Sequence, residues 1–154
     1  MKLFNKLLIA CLLSISFLPV AFAADDHDTA DQAIAMVKKG IAAIKAQGKE
    51  KAFADFSNPA NKEFHDRDLY LIAYDMNAVN LAHGNNPRMV GKNLIELKAG
   101  NVYVGKEMVS IIKSKGSGWV DYQWPNPLTK ALENKSTYVE KVDDFFIGCG
   151  IYKQ

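Results

Sequence analysis

The stretch GWVDYQWPNP, residues 118–127, ends in prolines at positions 125 and 127. Proline has no amide N–H to give a sheet ladder, and its ring fixes φ, so this pair forbids a strand from running on. The residues before it are aromatic or β-branched and favour a strand. A strand over 119–124 is therefore expected to stop at Trp124, with that indole at the rim of a sheet. Alternation puts Val120, Tyr122 and Trp124 on one face and Trp119, Asp121 and Gln123 on the other. Both tryptophans of the chain sit on this one strand, so it needs partners and cover.

The partners follow directly. Segments 136–142 and 145–152 read as strands joined by short links, which predicts an antiparallel meander. Earlier, DLYLIAYDM at 68–76 is apolar on both faces and reads as a buried strand. Turn chemistry at Asp75 to Asn77 leads into a second strand over 78–82 that ends at His83, and Gly84 to Pro87 make a loop. The helices lie elsewhere. Thr29 with Gln32 fits a capping box, and Ile34, Val37, Ile41 and Ile44 share one face of a helix that Gly48 stops. A short second helix carries Phe53 and Phe56 and ends at Ser57-Asn58-Pro59. After the Gly84 to Pro87 loop a mainly helical stretch is expected. In it Asn93 caps a short turn, Val104, Met108, Ile111 and Ile112 form an apolar stripe, and Gly116 closes the last turn. The order predicts an α+β fold: one helical layer, led by a long N-terminal helix, packed on one antiparallel sheet.

Residues 1–23 have the form of a cleaved secretory signal. Lys2 and Lys6 precede an apolar run from Leu7 to Val20, and Ala21-Phe22-Ala23 is a small-x-small cleavage site. The run is short for a membrane-spanning helix, and too few apolar residues precede Cys11 for a lipoprotein. The expectation is a single domain over 24–154, periplasmic or secreted, with no transmembrane segment after signal removal. Loss of the two lysines brings the formal charge from +2 to zero, which gives no basis for nucleic-acid binding. Cys11 leaves with the signal, so Cys149 is alone and the domain must be stable by packing. His27 would be third in a chain starting at Asp25 and could then join a square-planar copper site; a solvated acidic tail is the simpler reading of ADDHD.

Candidate site residues come from the aromatic strand. In the strand after it Ser136, Tyr138 and Glu140 share a face. If Tyr122 and Tyr138 meet across the hairpin, two phenols and the Trp124 indole line one patch near a strand end. An apolar wall with a few polar tips is what a small-molecule pocket requires. A plain aromatic core under a helix is the competing reading.

In combination, DLYLIAYDMNAVNLAHGNNPRMVGKNL, GWVDYQWPNP, KSTYVEKV and GCGIY resemble the single Cache (sCache) domain family, over about residues 30 to 153. These are extracytoplasmic, PAS-like ligand-binding domains of bacterial chemoreceptors and sensor kinases. The resemblance implies a long N-terminal helix, a PAS-like central antiparallel sheet and a pocket for small organic acids. AHGNNP resembles the family's AHP turn and puts His83 near the pocket mouth. Tyr122 matches the tyrosine of the strand after the helix, Lys135 and Tyr138 match a K-x-x-Y pattern, and Tyr70 and Tyr74 lie on the aromatic first strand. No cofactor is implied. Family members usually continue into a second transmembrane helix and a signalling domain, whereas this sequence stops at Gln154. The expectation is therefore a free periplasmic protein with a membrane chemoreceptor or sensor kinase as partner.

An anion in a dry pocket needs compensating donors, and Lys135, His83, Tyr122 and Tyr138 could supply them. Against this, Lys135 lies in ENK, which also reads as a solvated loop, and His83 could simply cap its own loop. Enzyme readings are weaker. Cys149 between glycines is a small core residue unless it faces the cavity beside a histidine. Asp66, Asp68, Asp143 and Asp144 lack calcium-loop spacing, and His27, His65 and His83 lack zinc-ligand spacing. The expected function is thus non-enzymatic binding of a short acid of the acetate, propionate, lactate or pyruvate class. The alternative is a structural or interaction module of the same fold with a filled pocket.

Overall fold

The computed structural model describes residues 28–153; the signal segment, Cys11 and His27 lie outside the described residues. Helix α1, Ala30–Gln47, opens as its capping box demands. Thr29 Oγ1 accepts from the Gln32 N–H, and the Gln32 side-chain oxygen accepts from the Thr29 N–H. Gly48, at φ 85°, ends it and leads straight into α2, Lys49–Phe56. Strands β1 (His65–Asp66), β2 (Leu69–Asp75) and β3 (Asn80–His83) follow, and Asp75 Oδ1 fixes the β2–β3 turn by accepting from the N–H groups of Asn77 and Val79. After a small ribbon of β4 (Lys98–Ala99) and β5 (Val102–Tyr103) comes helix α3, Val104–Lys115. The last strands are β6 (Ser117–Pro125), β7 (Leu132–Val142) and β8 (Phe145–Tyr152).

The main sheet runs β1-β2-β8-β7-β6, with β3 also on β2. Its pairs are antiparallel, and β6, β7 and β8 form the expected meander. The fold is α+β, with the long N-terminal helix packed on the sheet.

One expectation needs correction. Helices cover both faces of the sheet, not one. Leu69, Leu71 and Ala73 of β2 and Phe145, Ile147 and Cys149 of β8 pack under Ala33, Val37 and Ile44 of α1 and Phe56 of α2. Tyr70, Ile72 and Tyr74 face the other way, with Tyr122 and Phe146, against Met108, Val109 and Ile112 of α3. A strand buried on both sides, as β2 is, needs cover twice. The stretch expected to be mainly helical is also mostly not. Only Pro87–Met89 forms a 3-10 turn, and α3 starts at Val104. Between them the backbone is tied to the sheet side of the molecule: Leu94 N–H donates to the Ala78 carbonyl and Asn80 N–H to the Lys92 carbonyl. Asn93 bends the chain locally by accepting from the Ile95 N–H.

Cys149 has no exposed surface and lies in the α1-side core. Burial pushes its thiol up to about 12, far from thiolate chemistry at neutral pH. Iodoacetamide is expected to leave it untouched in the native protein and to alkylate it fully in denaturant. Cys149→Ala should cost roughly 1–2 kcal/mol in urea unfolding, as a small core truncation does.

Candidate functional site

The site is set by the hairpin between β6 and β7. Strand β7 begins at Leu132, four residues before the expected start, because pairing continues through the polar run: Pro125 opposes Leu132, Trp124 opposes Glu133 and Tyr122 opposes Lys135. Asn126 organises the turn. Its Oδ1 accepts from Leu128 N–H at 2.8 Å, and its Nδ2 donates to Glu133 at 2.8 Å and to Asp68 at 3.3 Å. Residues opposite one another in an antiparallel pair share a face, so Lys135 points inward with Tyr122.

The same register moves Tyr138 away. It opposes Trp119, packs on that indole at 5.5 Å between ring centroids, and donates to Glu140 at 3.0 Å on the α1 side of the sheet. Tyr122 and Tyr138 therefore do not meet. Even-numbered residues of β6 pair with odd-numbered residues of β7, and the sequence left that parity open.

Lys135 is 2% exposed. Its Nζ donates to the hydroxyl of Tyr70 at 2.8 Å and of Tyr152 at 3.2 Å, and it lies 4.0 and 4.5 Å from the centroids of those two rings. Tyr152 in turn donates to the Pro125 carbonyl at 2.9 Å. Among the described residues no carboxylate is within ion-pair distance of Nζ; the charge of Asp68 is felt only from further away. Burial holds the amine down to about 7 and pushes the Tyr70 and Tyr152 phenols well above their ordinary range. Gly150 makes room for the lysine stem, since a Cβ there would sit 2.3 Å from Lys135 Cε.

Around this centre Tyr122 Oη bonds Thr137 Oγ1 at 2.8 Å, and Trp124 meets the Tyr122 ring edge-on at the half-buried rim. Tyr74 stacks on Phe146. His83 stacks on Tyr70 at 5.3 Å and its Nδ1 accepts from the Asn86 N–H at 3.1 Å. It thus caps its loop and lines the site as well. Desolvation, with Lys135 nearby, takes its imidazole down to about 3. His83 therefore offers a neutral N–H donor, not a charge.

A cavity of about 10 Å³ lies among these residues, lined by Tyr70, Tyr74, His83, Tyr122, Trp124 and Lys135, with Gly150 and Val104. Six of the seven residues singled out from the sequence are brought together, and Tyr138 is the one left out. Tyr152, Gly150 and Thr137 were missed. Alternation along GCGIY could have found the first two, since Gly150 and Tyr152 must share a face. Cys149 points the other way and does not line the cavity. A roomier groove of about 410 Å³, bordered by Gly100, Asn101, Asp121 and Lys153, also touches Tyr122 and Lys135; its exposed charges, Asp121 and Lys153, are paired with each other.

The chain matches the family model described as Single Cache domain 2 over residues 24–154. The methyl-accepting chemotaxis protein McpP of Pseudomonas putida is 28% identical over 91 residues, which is 57% of this chain but 17% of that protein. A methyl-accepting chemotaxis protein from Vibrio parahaemolyticus has a similar structure, with a TM-score of 0.69 and 27% identity, covering 79% of this chain and 86% of that one. A Cache chemosensory domain, reported with the structural basis for its carboxylic acid recognition, shares the fold at a TM-score of 0.67 and 23% identity, covering 80% and 92%.

Lys135 gives the site a pH signature. Its folded value, about 7, lies below that of an exposed lysine, so the unfolded chain binds the extra proton between about pH 7 and 10.4. The lysine therefore costs stability in full below pH 7, and the cost fades as pH rises. Lys135→Met is expected to melt above wild type at pH 6, with the gap closing towards pH 10. Parallel melting curves across that range would show that the amine is not held neutral.

Proposed function

This chain belongs to the single Cache domain family, a family of non-enzymatic sensor modules, and on that footing we propose that its cavity binds a short organic acid. The observation that carries the reading is Lys135: a buried amine at a cavity wall with phenols for neighbours and no counter-ion among the described residues. A carboxylate against Nζ supplies the missing charge. The hydroxyl of Tyr70 and the free N–H of His83 flank the same place as donors. Thr137 can donate to Tyr122 Oη, which leaves the Tyr122 proton for the ligand. Acetate, propionate, lactate and pyruvate fit this donor set. The walls must part to admit them, and the half-buried Trp124 ring at the rim is the wall placed to move.

The proposed setting is extracytoplasmic. Residues 1–23 act as a cleaved signal and residues 24–154 as one ligand-binding domain, periplasmic or secreted, that senses the acid or presents it to a membrane chemoreceptor or sensor kinase. No helix among the described residues is long and apolar enough to cross a membrane. A second reading has its own observation. A cavity of about 10 Å³ holds about one water, as a filled structural or interaction module would have.

Thermal shift against two- to four-carbon acids separates the two. An acid at 100 times its Kd stabilises the folded state by about 2.7 kcal/mol, a melting rise of several degrees. Binding an anion requires Lys135 protonated, so affinity should be level between pH 5 and 7 and fall by up to about tenfold per unit above 7. Lys135→Met should abolish the shift, and Tyr122→Phe should weaken binding by about tenfold or more. No shift with any short acid would favour the filled module.

Processing is checked by intact mass. Exported protein is expected to begin at Ala24 or one residue later, and the full-length chain in the membrane fraction would overturn this.

A further inference from the structure

We propose that the site captures 2-oxo acids covalently, as a reversible imine on Lys135 Nζ. The proposal rests on the reading of the cavity as an acid site and adds a bond to it.

What sets Lys135 apart is the company it keeps. Lys38, Lys106 and Lys153 are exposed and paired with Glu140, Glu96 and Asp121. A carboxylate at that distance holds an amine as ammonium and ties up its lone pair. Lys135 is buried instead against two phenol oxygens, at 2.8 and 3.2 Å. Those phenols are themselves held protonated by burial, so neither supplies an anion. The stem is confined to a track over Gly150, where no side chain could fit, and this delivers Nζ to the cavity wall. His83, the other basic group there, is neutral and brings no second positive charge. These are the conditions that turn a lysine into a nucleophile: a desolvated amine, an apolar surround and proton donors in reach. Its lowered value, about 7, leaves roughly half the molecules with a free lone pair at neutral pH, on the order of a thousandfold more than an exposed lysine.

The chemistry balances without an oxidant, reductant or co-reactant. The Nζ lone pair adds to the 2-oxo carbon as the C=O π pair moves to oxygen. That oxygen takes a proton from the hydroxyl of Tyr70, and the added nitrogen gives up a proton to restore it. Tyr70 then protonates the carbinolamine hydroxyl, which leaves as water while the nitrogen lone pair forms the C=N bond, and the nitrogen's remaining proton returns to the Tyr70 oxygen. Amine plus ketone gives imine plus water. Once protonated, the imine sits beside the ligand's own carboxylate. The buried positive charge then has a counter-ion inside the ligand, which the described residues do not provide. Acetate, propionate and lactate lack the carbonyl and can only bind reversibly as anions. The bond thus selects 2-oxo acids over acids of the same size.

Borohydride trapping tests this on the exported protein. With pyruvate and sodium borohydride, peptide mapping should find an adduct on Lys135, of the mass of the acid less one water plus two hydrogens. Lys135 should lead every exposed lysine by about tenfold or more, excess propionate should suppress the adduct, and trapping should rise from pH 6 to 8. The preference should vanish in urea, a control that holds even if Lys135→Arg, which cannot form the imine, fails to fold. If propionate raises the melting temperature but pyruvate leaves Lys135 unmodified, the imine is wrong and the acid site stands. Adducts spread evenly over exposed lysines and indifferent to propionate would also overturn it. If no acid shifts the melting temperature and no adduct forms, both readings fall.

Discussion

The register of one hairpin decides what this sheet can do. Side chains alternate along a strand with period two, so a slip of one residue between β6 and β7 would turn every inward group outward. Pro125 against Leu132 prevents the slip. The proline cannot extend the ladder, and the six residues from Asn126 to Ala131 are clasped by Asn126, whose side chain accepts from Leu128 N–H within the turn and donates to Glu133 of β7 and to Asp68 beyond it. From that pairing follow the inward Lys135, the outward Tyr138 and the seat of Tyr122 against Thr137. The proline also carries a second duty, because its carbonyl anchors the Tyr152 hydroxyl that supports the lysine.

Burying an amine without a carboxylate is expensive, and the rest of the domain has to sustain it. The α1 side does so by being dry. Its core is Leu, Ile, Val, Phe and Ala with the inert Cys149. The α3 side takes the polar burden, and nearly every polar tip there finds a partner: Tyr70 with Lys135, Tyr122 with Thr137, Tyr152 with Pro125. The sheet thus separates a stabilising face from a chemical one, and β8 shows the division residue by residue. Phe145, Ile147 and Cys149 pack under α1, whereas Gly148 and Gly150 clear space and Tyr152 reaches the lysine.

Much of the fold could be read in the residues because local chemistry dictates it. Thr29 and Gln32 bond each other within one turn, Asp75 closes its own turn, and the aromatic run before Pro125 has no other state to adopt. Two things escaped for one reason: both depend on partners far along the chain. The polarity of Glu133, Asn134 and Lys135 reads as loop until Pro125 and Trp124 are seen opposite them. The stretch before α3 reads as part of one mainly helical segment with the stripe that starts at Val104, but its amides bond Ala78 and other groups near β3. The candidate site was legible to the extent that alternation within one strand determines facing. Tyr122 and Trp124 followed from that, and Tyr138 did not, because its facing depends on the parity between strands.

The closeness of the cavity and the chemistry of its lysine belong to one problem. A site that is already nearly filled keeps water away from Nζ, and exclusion of water is what lowers the amine to about 7. A wide, wet pocket would let the lysine ionise freely and would leave an incoming acid to compete with solvent for it. An acid bound as proposed would meet an amine with a value of about 7, close to half protonated at neutral pH. An anion favours the charged form and brings in a proton, and a carbonyl uses the neutral form and releases water. On the reading proposed above, the closed pocket sets both the affinity and the kind of acid that gains most from entering, against the work needed to move Trp124 aside.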